Sequence, residues 1–204
     1  MNLRIGSGDI GALLMGAKTN GFQDLLRMFV SDKKPNYNAF ASPIDACRAG
    51  AILEDRYLQI LPDGYYPQYK VSSKEMDVFV ATLDFAKIDS GEVVDFEELK
   101  TLNLEDFLKH VELLRGETEG AYLPVIKKTF KKYYNQIQEQ LYCTELDSAN
   151  LVFLSVDTYD DEVNYRRIIE PNDIIRFRIK RDERVISEIK KRGQLFQTIK
   201  DYFK

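Results

Sequence analysis

Asp84 and the run Glu98-Leu99-Lys100 are the residues of this 204-residue chain whose types and spacing support hydrolytic chemistry. Side chains alternate along a strand, so Glu98 and Lys100 share one face while Leu99 takes the other. Asp84 precedes the turn Asp89-Ser90-Gly91 and sits on the neighbouring antiparallel strand, so two carboxylates and one ammonium can meet on one face. Mg²⁺ takes oxygen ligands, commonly one or two carboxylates with waters and substrate phosphate. In this reading Asp84 and Glu98 supply the carboxylates, the Leu99 main-chain carbonyl adds a ligand, and Lys100 orients or helps deprotonate the attacking water. An ion there polarises a scissile phosphate and makes a bound water more acidic. A Glu-x-Lys on a strand is equally a common surface ion pair, which contributes little.

Two further features bear on the same chemistry. Ile44, Cys47, Ala51, Glu54 and Leu58 recur at steps of three and four, which predicts a helix from about Pro43 to Ile60. Ser42-Pro43 marks its start, a capping residue followed by proline at the first helical position. Glu54 is the one carboxylate in that apolar stripe, and an inward Glu is costly unless it is paired or bound to metal. Arg48 or Arg56 could serve as its partner. Downstream, Gln138 and Tyr142 are four residues apart on a predicted helix and share a face that can reach a metal-bound water or a DNA phosphate.

The elements that must position these groups follow from periodicity and punctuation. Residues 8–29 read as helix in two pieces, broken near Lys18 to Gly21. After the turn Pro62-Asp63-Gly64, strands are expected at Tyr66 to Val71, Val78 to Ile88 and Glu92 to Thr101. Helices follow at Leu102 to Leu114 and from Tyr122 or Pro124 to Tyr142. An apolar strand spans Ala149 to Asp157. Two more strands are expected at Val163 to Ile169 and Ile174 to Lys180, with a charged amphipathic helix from Glu183 to Phe203. This order fits an α/β (α+β) chain with a central mixed sheet flanked by helices, read as a single domain over residues 1–204.

Composition narrows the alternatives. Twelve Phe and twelve Tyr furnish the volume for a packed core. No apolar run approaches the roughly 20 residues that cross a bilayer. No signal peptide is evident, and with two widely spaced cysteines, Cys47 and Cys143, the expectation is free thiols and a cytoplasmic setting. Net charge is −4, which argues mildly against a protein that coats nucleic acid. Basic residues nonetheless cluster at 127–132, 166–167, 176–181 and 190–192, which leaves room for a local basic groove beside an acidic metal site. His110 is the sole histidine, which weakens His-based triads and zinc sites. Gly6-Ser-Gly8 is not followed by the Gly-Lys-Ser/Thr of a P-loop.

Taken in order, these segments resemble the RecB-like branch of the PD-(D/E)XK nucleases, the family of phage lambda exonuclease and the YqaJ-like recombination nucleases. Arg4-Ile-Gly-Ser7-Gly-Asp9 resembles the family's opening segment, where an Arg and a Ser contact phosphate. Arg48-x-Gly50-x-x-x-Glu54 is similar to the helix that contributes the first catalytic Glu. Val80-Ala-Thr-Leu-Asp84 resembles the strand ending in the metal-binding Asp, with Leu83 where the family usually has Pro. Glu98-Leu99-Lys100 matches E-x-K, followed here by Thr101-Leu102 rather than Cys-Pro. Gln138-x-x-x-Tyr142 resembles the Gln-containing helix. The resemblance implies a restriction-endonuclease-like sheet. It also implies catalytic roles for Glu54, Asp84, Glu98, Lys100 and Gln138, with metal at Asp84, Glu98, the Leu99 carbonyl and, through water or a second ion, Glu54. Arg4, Ser7, Arg48 and Tyr142 are then expected to contact DNA. It further implies Mg²⁺, with Mn²⁺ substituting, and 5′-to-3′ hydrolysis of linear double-stranded DNA in phage-type recombination or repair. A single-strand annealing partner and a homotrimer follow by resemblance alone. The rival expectation is a non-catalytic DNA-binding or assembly module of the same fold.

Overall fold

Phe79, Ala81, Leu83 and Phe85 are buried while Val80, Thr82 and Asp84 between them are half-buried, the period-two pattern of a strand covered on both faces. The computed structural model describes residues 3–31 and 44–203, and this strand is the axis of its sheet. The strands are β1 (Ile5–Gly6), β2 (Tyr65–Ser72), β3 (Phe79–Asp89), β4 (Glu92–Asn103), β5 (Ser148–Val156) and β6 (Ile174–Lys180). Their order is β1-β3-β4-β5-β6, with β2 also paired to β3. The β2/β3, β3/β4 and β5/β6 pairs are antiparallel, whereas β1/β3 and β4/β5 are parallel, so the sheet is mixed as expected.

Eight α-helices are described: α1 (Ile10–Leu13), α2 (Asn20–Ser31), α3 (Ile44–Leu58), α4 (Leu104–His110), α5 (Glu119–Thr129), α6 (Lys131–Thr144), α7 (Asp161–Arg166) and α8 (Glu183–Tyr202). Side chains along β5 show how they layer. Leu151 and Phe153 join the larger core with residues of α1, α2, α6 and α8, while Val152 and Leu154 join a smaller one with Leu53 and Tyr57 of α3. The sheet therefore lies between an α6 side and an α3 side. The β3–β4 hairpin closes through Ser90 and Gly91, both with positive φ (49° and 84°), the geometry that matches strand twist in a tight hairpin. Among the described residues no helix is long and apolar enough to cross a membrane. Cys143 is buried and Cys47 exposed, and both are free thiols.

Several expectations are corrected. Residues 163–169 do not form a strand: α7 occupies 161–166 because Asp160 caps it, accepting from the Val163 N–H at 3.0 Å, and Asp161 and Glu162 place negative charge in its first turn. The single long helix from 122–124 to 142 is two helices, broken at Phe130, whose ψ of 35° is not helical. β4 runs on to Asn103, whose side chain caps α4 by accepting from the Asp106 N–H. β1 had no sequence signal at two residues in length. The cap assigned to Ser42-Pro43 lies outside the described residues.

One helix is packed on nearly all sides. In α6 every residue from Tyr134 to Cys143 except Gln136 is buried, and Gln138, Glu139 and Gln140 are fully so. Glu139 receives the Cys143 thiol at 3.2 Å through Oε1, while Oε2 has no partner among the described residues. Burial, reinforced by Glu98 and Asp9, pushes its carboxyl from 4.5 to about 8. Between those values the folded chain keeps a proton that the unfolded chain releases, so stability is full below about pH 4.5 and is lost as pH rises toward 8. Denaturant titrations at stepped pH should show Glu139→Gln gaining on the wild type by roughly 2–4 kcal/mol between pH 4.5 and 8, with no difference below pH 4. Parallel curves across that range would show that Glu139 is not held protonated.

Candidate active site

The site begins where β3 and β4 part. Their pairing runs from Asp89↔Glu92 to Phe85↔Glu97 and stops. Both β1 and β2 match β3 at Val80 (Gly6↔Val80 and Ser72↔Val80), so they lie on opposite edges, and β1 takes the upstream part of the edge that β4 abandons. Residues 81–84 border the resulting split. Backbone polar groups inside a sheet must find partners. Asp84 Oδ2 therefore accepts from the Leu99 N–H at 2.9 Å, and the Gln140 side-chain amide donates to the Thr82 carbonyl at 3.1 Å. A residue's N–H and C=O point to the same strand edge, so the Leu99 carbonyl also faces the split.

Glu98 and Lys100 lie on the α6 side of β4. Glu98 is fully buried; its Oε1 accepts from Lys100 Nζ and Gln136 Nε2, and its Oε2 from Gln140 Nε2 at 2.6 Å. Lys100 Nζ also lies 3.6 Å from Asp84 Oδ2 and 5.6 Å from the Tyr133 ring centroid. Burial raises the Glu98 pKa, with Asp84 adding and Lys100 opposing. Burial also works against the Lys100 ammonium, but Glu98 and Asp84 outweigh it and the lysine pKa rises. Lys100 therefore stays charged at neutral pH, an ammonium set between the Glu98 and Asp84 carboxylates.

Glu54 reaches the cleft from α3, on the other side of the sheet. Neither Arg48 nor Arg56 pairs with it: Arg48 binds Asp161 at 2.9 Å and Arg56 Nε donates to the Arg167 carbonyl at 3.1 Å. Its Oε2 instead accepts from Gln68 Nε2 at 3.0 Å. Burial first, then Asp84, pushes the Glu54 carboxyl up to about 7. Glu54, Leu99, Lys100, Tyr133, Gly50 and Cys47 are among the residues lining a cleft of about 430 Å³.

The structure thus brings Glu54, Asp84, Glu98, Leu99 and Lys100 together. It does not bring Gln138: Nε2 donates to the Lys180 carbonyl at 3.0 Å and Oε1 accepts from the Asp182 N–H at 2.7 Å, which ties α6 to the start of α8. Two residues on a helix differ by about 200°, so Gln138 points away when Gln136 and Gln140 point at Glu98. Tyr142 follows Gln138, packing on Phe79 and under Lys190. Arg48 is held at the surface by Asp161. Arg4 is exposed, and Ser7 is buried in the 3₁₀ turn that follows Gly6, which pairs with Val80 four residues upstream of Asp84 on β3. Gln136, Gln140 and Tyr133 are the site residues the sequence reading missed. Glu97 faces the α3 side, where Tyr57 Oη, Asn150 Nδ2 and Arg176 Nε all donate to it.

The donor chemistry fits a hard divalent cation. Glu54 and Leu99 line one cleft with Lys100, Asp84 lies 3.6 Å from that lysine's Nζ, and burial, with the charge of Asp84 adding, holds the Glu54 and Glu98 carboxyls at raised pKa. Among the described residues no three acidic, His or Cys side chains converge into a cage of their own. Mg²⁺ is commonly held by one or two carboxylates together with waters and substrate phosphate oxygens. Glu98 already accepts three hydrogen bonds, two at Oε1 and one at Oε2, which leaves one acceptor position on Oε2.

No protein-family model matches the chain, and no curated protein matches it by sequence. Solved structures do. An alkaline exonuclease from Laribacter hongkongensis superposes with a TM-score of 0.61 at 15% identity, covering 96% of this chain and 86% of the other. The same exonuclease in complex with dAMP gives 0.59 at 17% identity, covering 97% and 88%. A phage-related exonuclease from Haemophilus somnus 129PT gives 0.60 at 16% identity, covering 99% and 97%. Over nearly its whole length, this chain shares the fold of alkaline and phage-related exonucleases.

Proposed function

We propose that the chain is a metal-dependent nuclease that hydrolyses DNA phosphodiester bonds, acting as a 5′-to-3′ exonuclease on linear double-stranded DNA in phage-type recombination or repair. The observation that carries the reading is the split between β3 and β4, which gathers Asp84, Glu98, Lys100 and the Leu99 carbonyl around a cleft rimmed by Glu54. The shared fold supports the nuclease class. Mg²⁺, or Mn²⁺ in its place, would be held by Asp84, Glu98 and the Leu99 carbonyl, with Glu54 reaching it through water or a second ion. When bound, it supplies a Lewis acid for the phosphate and a more acidic water.

The chain's own residues account for the rest. Lys100 directs ammonium protons at a phosphate oxygen and offsets charge that grows during attack. Glu98 fixes Lys100, and Gln136 and Gln140 fix Glu98. Asp84 is aimed by the Leu99 N–H. Tyr133 walls the cleft beside Lys100 and limits water access. Arg4 and Ser7, upstream on β1 and the following turn, are proposed as a separate phosphate contact for the DNA end. A single-strand annealing protein and a homotrimeric assembly remain part of the proposal through the family resemblance.

End-labelled linear duplex, closed circles and single strands, each incubated in Mg²⁺ and in EDTA, test the reading. The expected result is shortening of linear duplex only, from the 5′ end, abolished by EDTA and reduced at least 10³-fold by Lys100→Ala, in line with loss of a charged transition-state donor. DNA binding without hydrolysis by both proteins would favour the non-catalytic module. Within the same assay Gln140→Ala should lower kcat about tenfold, the loss expected from removing one hydrogen bond to a charged group. Gln138→Ala should lower thermal stability while leaving kcat within about twofold. The reverse pattern would return Gln138 to the site.

A further inference from the structure

Three non-glycine residues among those described have positive φ: Gln68 (51°), Ser90 (49°) and Glu145 (61°). Ser90 forms the β3–β4 turn and Glu145 caps the end of α6, both ordinary places for left-handed backbone. Gln68 lies inside β2, where nothing in the strand's pairing calls for it. Pairing runs Pro67↔Phe85 and Tyr69↔Leu83 and skips Gln68, which sits opposite Asp84. The register is unchanged on either side, so Gln68 keeps its place in the strand but forms no rung, and its left-handed backbone is the kind of local strain found near functional sites. Its side chain is aimed at Glu54, to which Nε2 donates at 3.0 Å.

We infer that Gln68 is a positioning residue, whose strained backbone at the missing rung opposite Asp84 exists to hold the Glu54 carboxylate over the cleft. The inference deepens the nuclease reading and rests on it for the role of Glu54. Glutamine is a poor occupant of left-handed φ, and an exposed amide hydrogen bond is weak compensation for it. Glycine would adopt this backbone without strain. Retention of a long amide there is explained by what the amide touches. Among the described residues Gln68 is the one side chain that hydrogen-bonds Glu54.

The test uses the full chain and the variants Gln68→Gly, Glu54→Gln and the double variant. Three quantities are read: melting temperature, kcat and KM on linear duplex in Mg²⁺, and Mn²⁺ affinity by calorimetry. Gln68→Gly is expected to raise the melting temperature by relieving the backbone, to lower kcat about tenfold with KM unchanged, and to weaken Mn²⁺ binding severalfold. In the Glu54→Gln background the same change should alter neither kcat nor Mn²⁺ affinity. The Mn²⁺ comparison covers the case in which Glu54→Gln leaves too little turnover to measure. Wild-type kcat and Mn²⁺ affinity in Gln68→Gly would overturn the inference, as would equal losses in both backgrounds or a melting temperature that falls together with kcat. A wild-type chain that binds Mn²⁺ in a Gln68-dependent way yet hydrolyses no DNA would sink the nuclease reading and leave the positioning role standing. Absence of both Mn²⁺ binding and hydrolysis would remove both.

Discussion

A sheet that opens in its middle must satisfy the backbone groups it exposes, and the bond from the Leu99 N–H to Asp84 is how this one does so. The bond has two effects at once. It replaces a missing rung between β3 and β4, and it turns a carboxylate and a main-chain carbonyl toward the same opening. β1 closes the upstream end of the gap and Gln140 fills its centre. Without such substitutes the strands would zip together and Asp84 would face only a neighbouring side chain. The cleft is thus a consequence of interrupted pairing, which is why strand residues and not loop residues carry its chemistry.

Two adjacent carboxylates, Glu97 and Glu98, are both buried and go to opposite sides of the sheet. A buried charge persists only where partners surround it. Glu97 has Tyr57, Asn150 and Arg176, and so fastens α3 to the sheet less than one helical turn from Glu54. Glu98 has Lys100, Gln136 and Gln140, which fasten α6. One strand therefore anchors the two helical layers through consecutive residues, and the cleft between the layers inherits its width from both anchors.

The sheet, the hairpin and the grouping of Glu54, Asp84, Glu98 and Lys100 were legible because period-two alternation and the Asp89-Ser90-Gly91 turn are local signals. The phase of α6 was not. Its sequence offers two glutamine pairs at helical spacing, Gln136 with Gln140 and Gln138 with Tyr142, and a helix buried on nearly all sides has no apolar stripe to say which pair faces the sheet. The strand expected at 163–169 failed for a related reason, since Val, Tyr and Ile favour strands but the Asp160 cap and acidic first turn prevailed. Glu54 was flagged by its apolar surroundings, whereas its partner Gln68 was invisible, because nothing in the local sequence marks a left-handed glutamine inside a strand.

The register also orders events during synthesis and folding. Asp84 and Glu98 are joined by a hairpin that closes across two residues, a contact available on the microsecond scale. β5, by contrast, pairs with β4 in parallel through Glu97↔Asn150, after more than forty intervening residues have formed α4, α5 and α6. Loop closure of that span is slow, so the hairpin must wait with its inner edge unpaired. The charged side chains of Glu98 and Lys100 belong to this waiting strand, and charge on an unpaired edge discourages pairing with other chains.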